Sequence, residues 1–234
     1  MKFAYLIEPP FNYREADGIV TGCDVELARH VLGVLGETFE PIEAEFAELL
    51  PGLGQGRWQM TTGLFATEER KQHALFSRPI WALPDGLLVA KGNPLGLTGY
   101  RSLASSNARV AAIRDQVQHR AVLDFGTPAD RVLIFDTYEQ AAAAVTTGAA
   151  DAYASVARAH GGYMARHSDL SLEVVTVSAT EKAPARGSFG FALRDEALRR
   201  SVNNILQGFI GTPEHRSMMA RFGFDDSEID LLLT

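Results

Sequence analysis

Two hydrophobic periods alternate along this 234-residue chain. Short runs that are almost wholly apolar predict strands, and longer stretches with apolar residues three and four apart predict helices. The run Phe3-Ala-Tyr-Leu-Ile7 reads as a strand. Asp24 then stands as the cap of a helix whose apolar face is Val25, Ala28, Val31, Leu32 and Leu35. A strand is expected over 41–46, a short helix over 47–53 stopped by Gly54 and Gly56, and a strand over 58–62. A helix opened by Thr67 and a strand over 86–91 complete this block.

The rhythm then restarts, with strands expected over 109–113, 131–135, 151–155, 172–178 and 187–193. Helices are expected over 116–123, from the capping-box sequence Thr137-Tyr-Glu-Gln140 to Gly148, over 196–209, and from Thr212-Pro213-Glu214 onward. Alternating strands and helices imply an α/β protein of mostly parallel sheets flanked by helices. Extended segments near 91–94 and 184–187 suggest two lobes, the second inserted into the first. The expected division is 1–90 plus 188–234 for lobe one and 91–187 for lobe two, with the two crossings as a hinge.

Composition narrows the function. A net charge of -7 argues against nucleic acid as a partner. No apolar run approaches the ~20 residues of a membrane-spanning helix. A single cysteine, Cys23, leaves no internal disulfide and no multi-cysteine metal site. The six histidines show no ligand spacing, and no phosphate-binding loop, zinc-protease motif or nucleophile elbow is present. No cofactor and no metal are expected. Residues 3–7 follow Met1 with no leader-like segment before them, so either a leader has been removed or the protein is cytoplasmic.

The chemistry concentrates in residues 61–77, TTGLFATEERKQHALFS. Thr67 is a good N-cap, Glu68 and Glu69 suit a helix N-terminus, and Arg70 follows in the first turn. A guanidinium so placed can grip a carboxylate through two parallel hydrogen bonds, and free N–H groups of the turn favour the same anion. Phe65, five residues earlier, would set an apolar plane beside that cation. The plain alternative is that Arg70 pairs with a surface carboxylate and Phe65 fills core. Phe11 follows two prolines at the end of the first strand, with Glu8 just before them, and Phe46 ends a later strand. Strand ends are where α/β sheets bind ligands, although each of these residues also fits an ordinary structural place. Tyr5 is expected in the core.

The segments Glu8-Pro-Pro-Phe11, Gly22-Cys-Asp-Val-Glu-Leu-Ala28, FAELLPGLGQG (46–56), GLFATEERKQHALFS (63–77) and AAAAVTTGAADA (141–152) resemble, in order and spacing, the amino-acid-binding branch of the type II periplasmic solute-binding proteins. The resemblance covers nearly the whole chain. It implies a two-lobed fold joined by a two-strand hinge, with a ligand between the lobes. It also implies a periplasmic location and delivery to the permease subunits of an ABC importer by a monomer. Arg70 would bind the ligand carboxylate, with backbone contacts near Gly63 and Leu64, and Val117, Gln118 and Ser155 would contribute from lobe two.

Two departures change the expected ligand. Phe65 stands where a small hydroxyl residue is usual, and Val156 replaces the Asp that meets an α-amine. An unpaired buried ammonium is costly. Glu8, Phe11, Phe46, Phe65 and Arg70 occur in the order found in the ectoine- and hydroxyectoine-binding subgroup, with Phe46 in place of an expected Tyr. The resulting expectation is a small zwitterion anchored by Arg70, caged by Phe11, Phe46 and Phe65 and balanced by Glu8. The alternatives are a cyclohexadienyl-dehydratase-like enzyme on the same scaffold and an isolated ligand-sensing domain.

Overall fold

The computed structural model describes residues 1–233 and divides into two compact units, Met1–Ala82 with Arg186–Thr234, and Leu83–Ala185. The second unit is inserted in the first, and the second crossing, at 185–186, lies within the extended segment expected at 184–187, but the first falls elsewhere. The strand expected at 86–91 and assigned to lobe one is Asp85–Ala90, which lies between Ala152–Val156 and Leu172–Thr176 in the five-stranded sheet of the second unit. Its apolar residues need that sheet's core, so the first crossing comes before it, at 82–83 rather than near 91–94.

In the first unit, Lys2–Tyr5 runs parallel between Glu40–Glu43 and Met60–Thr61. In a second sheet the long strand Ala185–Ala192 pairs antiparallel with Gly63–Phe65 and Ala74–Phe76, and Trp81–Leu83 also pairs with it. The expectation of mostly parallel sheets is therefore met only by the first of these. Helix Cys23–Val34 buries Val25, Ala28, Val31 and Leu32 of the apolar face read from the sequence, leaves Leu35 as its half-buried C-cap, and packs against Glu196–Phe209. Leu49–Gln55 follows a single 3-10 turn at Phe46–Glu48, so Phe46 begins a helical turn rather than ending a strand. Leu6, Leu49, Leu53, Trp58 and Leu64 form the core beneath. Tyr5 is wholly buried, as expected.

In the second unit, Val132–Phe135, Val110–Ile113 and Ala152–Val156 are parallel neighbours. Asp85–Ala90 and Leu172–Thr176 extend that sheet in antiparallel register. Thr137 caps Tyr138–Thr146 by accepting from the Gln140 N–H at 3.3 Å. Thr212 does the same for Pro213–Ala220, from the His215 N–H at 3.2 Å. Three helices had no counterpart in the sequence reading, Tyr100–Ser105, Ala157–Arg166 and Asp226–Asp230. The first is one short turn of mixed residues and the second carries Gly161 and Gly162, which weaken any helical pattern.

His160 is fully buried in this unit. Its Nε2 faces the Gly86 carbonyl at 3.3 Å, so that nitrogen carries the proton, and Nδ1 accepts from the Tyr138 hydroxyl at 2.6 Å. Burial pushes its pKa down to about 3. The unfolded chain binds a proton below the ordinary value of 6.5 that the folded ring refuses. Stability therefore falls by about 1.4 kcal/mol per pH unit for this group as pH drops from 6.5 toward the folded value. Urea unfolding at pH 7.5, 5.5 and 4.5 should show His160→Gln less stable than wild type at pH 7.5 but losing less stability on acidification. An unchanged pH slope would show that His160 does not carry this term.

Candidate functional site

The site begins with a buried carboxylate. Asp24 was expected to cap its helix, but Gly22 occupies the cap position and Asp24 lies inside the first turn, wholly buried. Its Oδ2 accepts from Thr62 Oγ1 at 2.6 Å and from the Gly63 N–H at 2.8 Å. Its Oδ1 accepts from Trp81 Nε1 at 3.0 Å, with Cys23 Sγ at 3.6 Å. Burial pushes its pKa up, and the bonds from Thr62, Gly63, Trp81 and Cys23 pull the other way. Asn12 Nδ2 donates to Thr62 Oγ1 at 2.7 Å, which directs the hydroxyl proton onto Asp24.

Residues 8–12 are tied to the same helix. The Cys23 and Asp24 N–H groups donate to the carbonyls of Pro10 at 2.9 Å and Phe11 at 3.1 Å. The loop closes on itself through Glu8 N–H to Asn12 O at 2.8 Å and Asn12 N–H to Glu8 O at 3.1 Å. Gly22 makes the approach possible. Its φ is +129°, and a Cβ there would sit 2.0 Å from the Phe11 carbonyl oxygen.

These anchors fix three rings. Phe11 lies 5.3 Å from Trp81 at a 40° tilt, and Phe65 meets Trp81 edge-on at 5.3 Å and 86°. Such offset and edge contacts are the preferred aromatic geometries. Phe224 adds an edge contact to Phe11 at 6.4 Å. Trp81 fits because its neighbours lack side chains. A Cβ on Gly63 would come within 2.8 Å of the indole, and one on Gly187 within 2.1 Å.

Arg70 lies in Glu68–Lys71, a single turn capped by Thr67 as expected. That cap takes the Arg70 N–H itself, at 3.2 Å, so this amide does not serve an anion as foreseen. The guanidinium sits over the Phe46 ring with its carbon 5.2 Å from the centroid, and Nη1 donates to the Phe65 carbonyl at 3.0 Å. Phe46 is thus a platform for Arg70 on that face rather than a free wall of a cage. Gly63 cannot supply its N–H to a ligand, because Asp24 holds it. Leu64 is 2% exposed and packs into the core. Glu8 is 8% exposed, at the start of the closed loop.

In the second unit a different carboxylate holds Gln118, one of the residues read from the sequence. Asp85 accepts from Gln118 Nε2 at 2.7 Å and from the Tyr100 hydroxyl at 2.6 Å, and pairs with Lys182 Nζ at 2.6 Å. Burial and this negative charge push the Tyr100 hydroxyl well above its ordinary pKa. Gln118 is therefore engaged inside the unit, where a ligand contact had been expected. Val117, half-buried, begins the helix Val117–Asp124. Ser155 is buried on its strand opposite Gly86, and Val156 opposite Asp85.

A profile of bacterial extracellular solute-binding proteins, family 3, matches residues 2–224. The chain belongs to this family. Among relatives of this solute-binding protein, a probable amino-acid ABC transporter periplasmic-binding protein, y4tE of Sinorhizobium fredii, is 30% identical. That match covers 93% of the chain and 74% of the relative. The arginine-binding protein ArgT of Corynebacterium glutamicum is 28% identical over 95% and 73% of the two chains. The crystal structure of EhuB in complex with hydroxyectoine superposes with a TM-score of 0.88 at 28% identity, covering 98% of this chain and 90% of that one. The two-lobed type II fold expected from the sequence is the fold of this solute-binding protein.

Trp81 and Asp24 were the residues the sequence reading missed. Trp81 lies in Arg78-Pro-Ile-Trp-Ala-Leu-Pro84, where a tryptophan between two prolines was a readable signal for a fixed ring. Gly187→Ala should force Trp81 out of place and cost about 1–3 kcal/mol, the usual range for overpacking. Denaturant unfolding and near-ultraviolet circular dichroism would measure both effects, and an unchanged spectrum would refute the tight seat of Trp81.

Proposed function

We propose that this solute-binding protein captures a small zwitterion that carries a carboxylate and a delocalised cation, as hydroxyectoine does, and hands it to the permease subunits of an ABC importer. The observation that carries this reading is Arg70 fixed between the Phe46 ring and the Phe65 carbonyl, beside the ring group of Phe65, Trp81 and Phe11. Arg70 takes the ligand carboxylate. Phe11, Phe65 and Trp81 face its cation, and Glu8 balances the charge. Gly63 and Leu64 shape this face rather than bind through it, and Val117, Gln118 and Ser155 are second-unit candidates.

Three considerations support the ligand class. Hydroxyectoine, the ligand named for EhuB, joins a carboxylate to a planar ring cation, while arginine, named for ArgT, joins a carboxylate to a planar guanidinium and adds an α-amine. Val156 offers an α-amine no counter-charge, which favours a ligand whose cation is spread over a ring. A cation–π contact supplies about 0.5–2 kcal/mol, while micromolar binding needs about 8 kcal/mol. The arginine–carboxylate contact is therefore indispensable. The protein acts as a monomer in the periplasm, where y4tE is named as working, and performs no chemistry.

Calorimetry with hydroxyectoine and with arginine tests this directly. Arg70→Ala should weaken binding at least ~100-fold, as removal of one partner of a desolvated charge pair does. Arg70→Lys should keep part of it, because the charge survives while the bidentate fork is lost. Near-native affinity in Arg70→Ala would remove Arg70 from the site. Conversion of prephenate or arogenate by the wild type would replace binding with catalysis.

A further inference from the structure

Asp24 is a fully buried carboxylate whose hydrogen-bond neighbours are a hydroxyl, a backbone N–H, an indole N–H and a thiol, none of them a cation. This differs from Asp85 of the second unit, which meets Lys182. Four donors converging on one carboxyl group suit the ionised form, which only accepts. One of those donors belongs to the ring between Phe11 and Phe65. Hydrogen bonding to an anion polarises the donor, and in a poorly solvated place the effect is not screened away. It draws positive charge to the indole N–H edge and leaves the ring face more negative, the side a cation approaches.

Resting on the ligand reading above, we propose that Asp24 is a positioning and specificity-determining residue: it fixes Trp81, Gly63 and, through Thr62 and Asn12, the Phe11 loop, and its negative charge behind the indole makes this face select cations. The anchoring and the charge are two consequences of the same bonds. The anchoring raises affinity for any ligand that fits. The charge raises it only for a ligand with a positive group against the rings. Selectivity is a difference of affinities, so the two can be separated.

The test uses Asp24→Asn, nearly identical in shape, with three probes: hydroxyectoine, arginine, and cyclohexanecarboxylate, which keeps a ring and a carboxylate but carries no cation. The expected result is a fall of at least about tenfold in the affinity ratio of a cationic probe to cyclohexanecarboxylate. A proton–nitrogen spectrum of the indoles gives a ligand-free readout, since the chain has two tryptophans and Trp58 donates to the neutral Leu49 carbonyl at 2.9 Å. The Trp81 signal should move upfield in Asp24→Asn while that of Trp58 stays. Should Asp24→Asn not fold, Trp81→Phe keeps an aromatic ring at this place and removes the bond to Asp24 together with the larger indole face, so a fall in ratio of at least about tenfold is expected. Equal weakening of all three probes, or an unmoved Trp81 signal, overturns the proposal and leaves the ligand reading intact. A wild-type protein that binds neither cationic probe overturns both.

Discussion

A carboxylate taken out of water must be met by donors, and the face of the first unit that carries Phe11, Phe65 and Trp81 is arranged by the way Asp24 is met. Its partners come from the segment 61–63 and from the strand Trp81–Leu83. Thr62 relays the bond to Asn12 and so to the loop 8–12. One side chain therefore fixes the relative positions of pieces that are far apart in sequence. Losing it would leave an indole N–H, an amide and a hydroxyl without their acceptor, a cost of the order of 1–3 kcal/mol for each buried group. Such a penalty makes the arrangement all-or-none.

The glycines complete what the carboxylate begins. Gly63 and Gly187 leave room for the indole, and Gly22 allows the Phe11 carbonyl to approach the helix start. The rings are thus seated by absence of side chains on one side and by a hydrogen bond on the other. Arg70 is held by different means, a π face and a carbonyl, which preserve its charge while restricting its motion. A cation held in this way has less freedom left to lose on meeting an anion.

The two units use buried carboxylates in contrasting ways. Asp85 is neutralised by Lys182 and braced by Tyr100 and Gln118. It joins the residue just after the first crossing to one just before the second, so both ends of the inserted unit are tied at one place. Asp24 has neutral donors instead. Its charge is left uncancelled by those neighbours, beside rings suited to a cation.

Much of the chain was legible from sequence. Apolar periodicity placed the helices Cys23–Val34 and Glu196–Phe209, and the hydroxyl caps Thr67, Thr137 and Thr212 marked helix starts that the structure keeps. These depend on neighbours within a turn or two, so local sequence suffices to determine them. The segments 8–11, 22–28, 46–56, 63–77 and 141–152, in their order and spacing, similarly pointed to the family. What local sequence could not decide was partnership across long separations. Asp24 looked like a cap because its carboxylate oxygens accept hydrogen bonds in either role, and only the approach of Thr62 and Trp81 distinguishes the two. Phe46 looked like a cage wall until Arg70 lay on it. The strand Asp85–Ala90 went to the wrong lobe because an apolar strand fits any sheet, and which sheet is settled by the pairing that buries it.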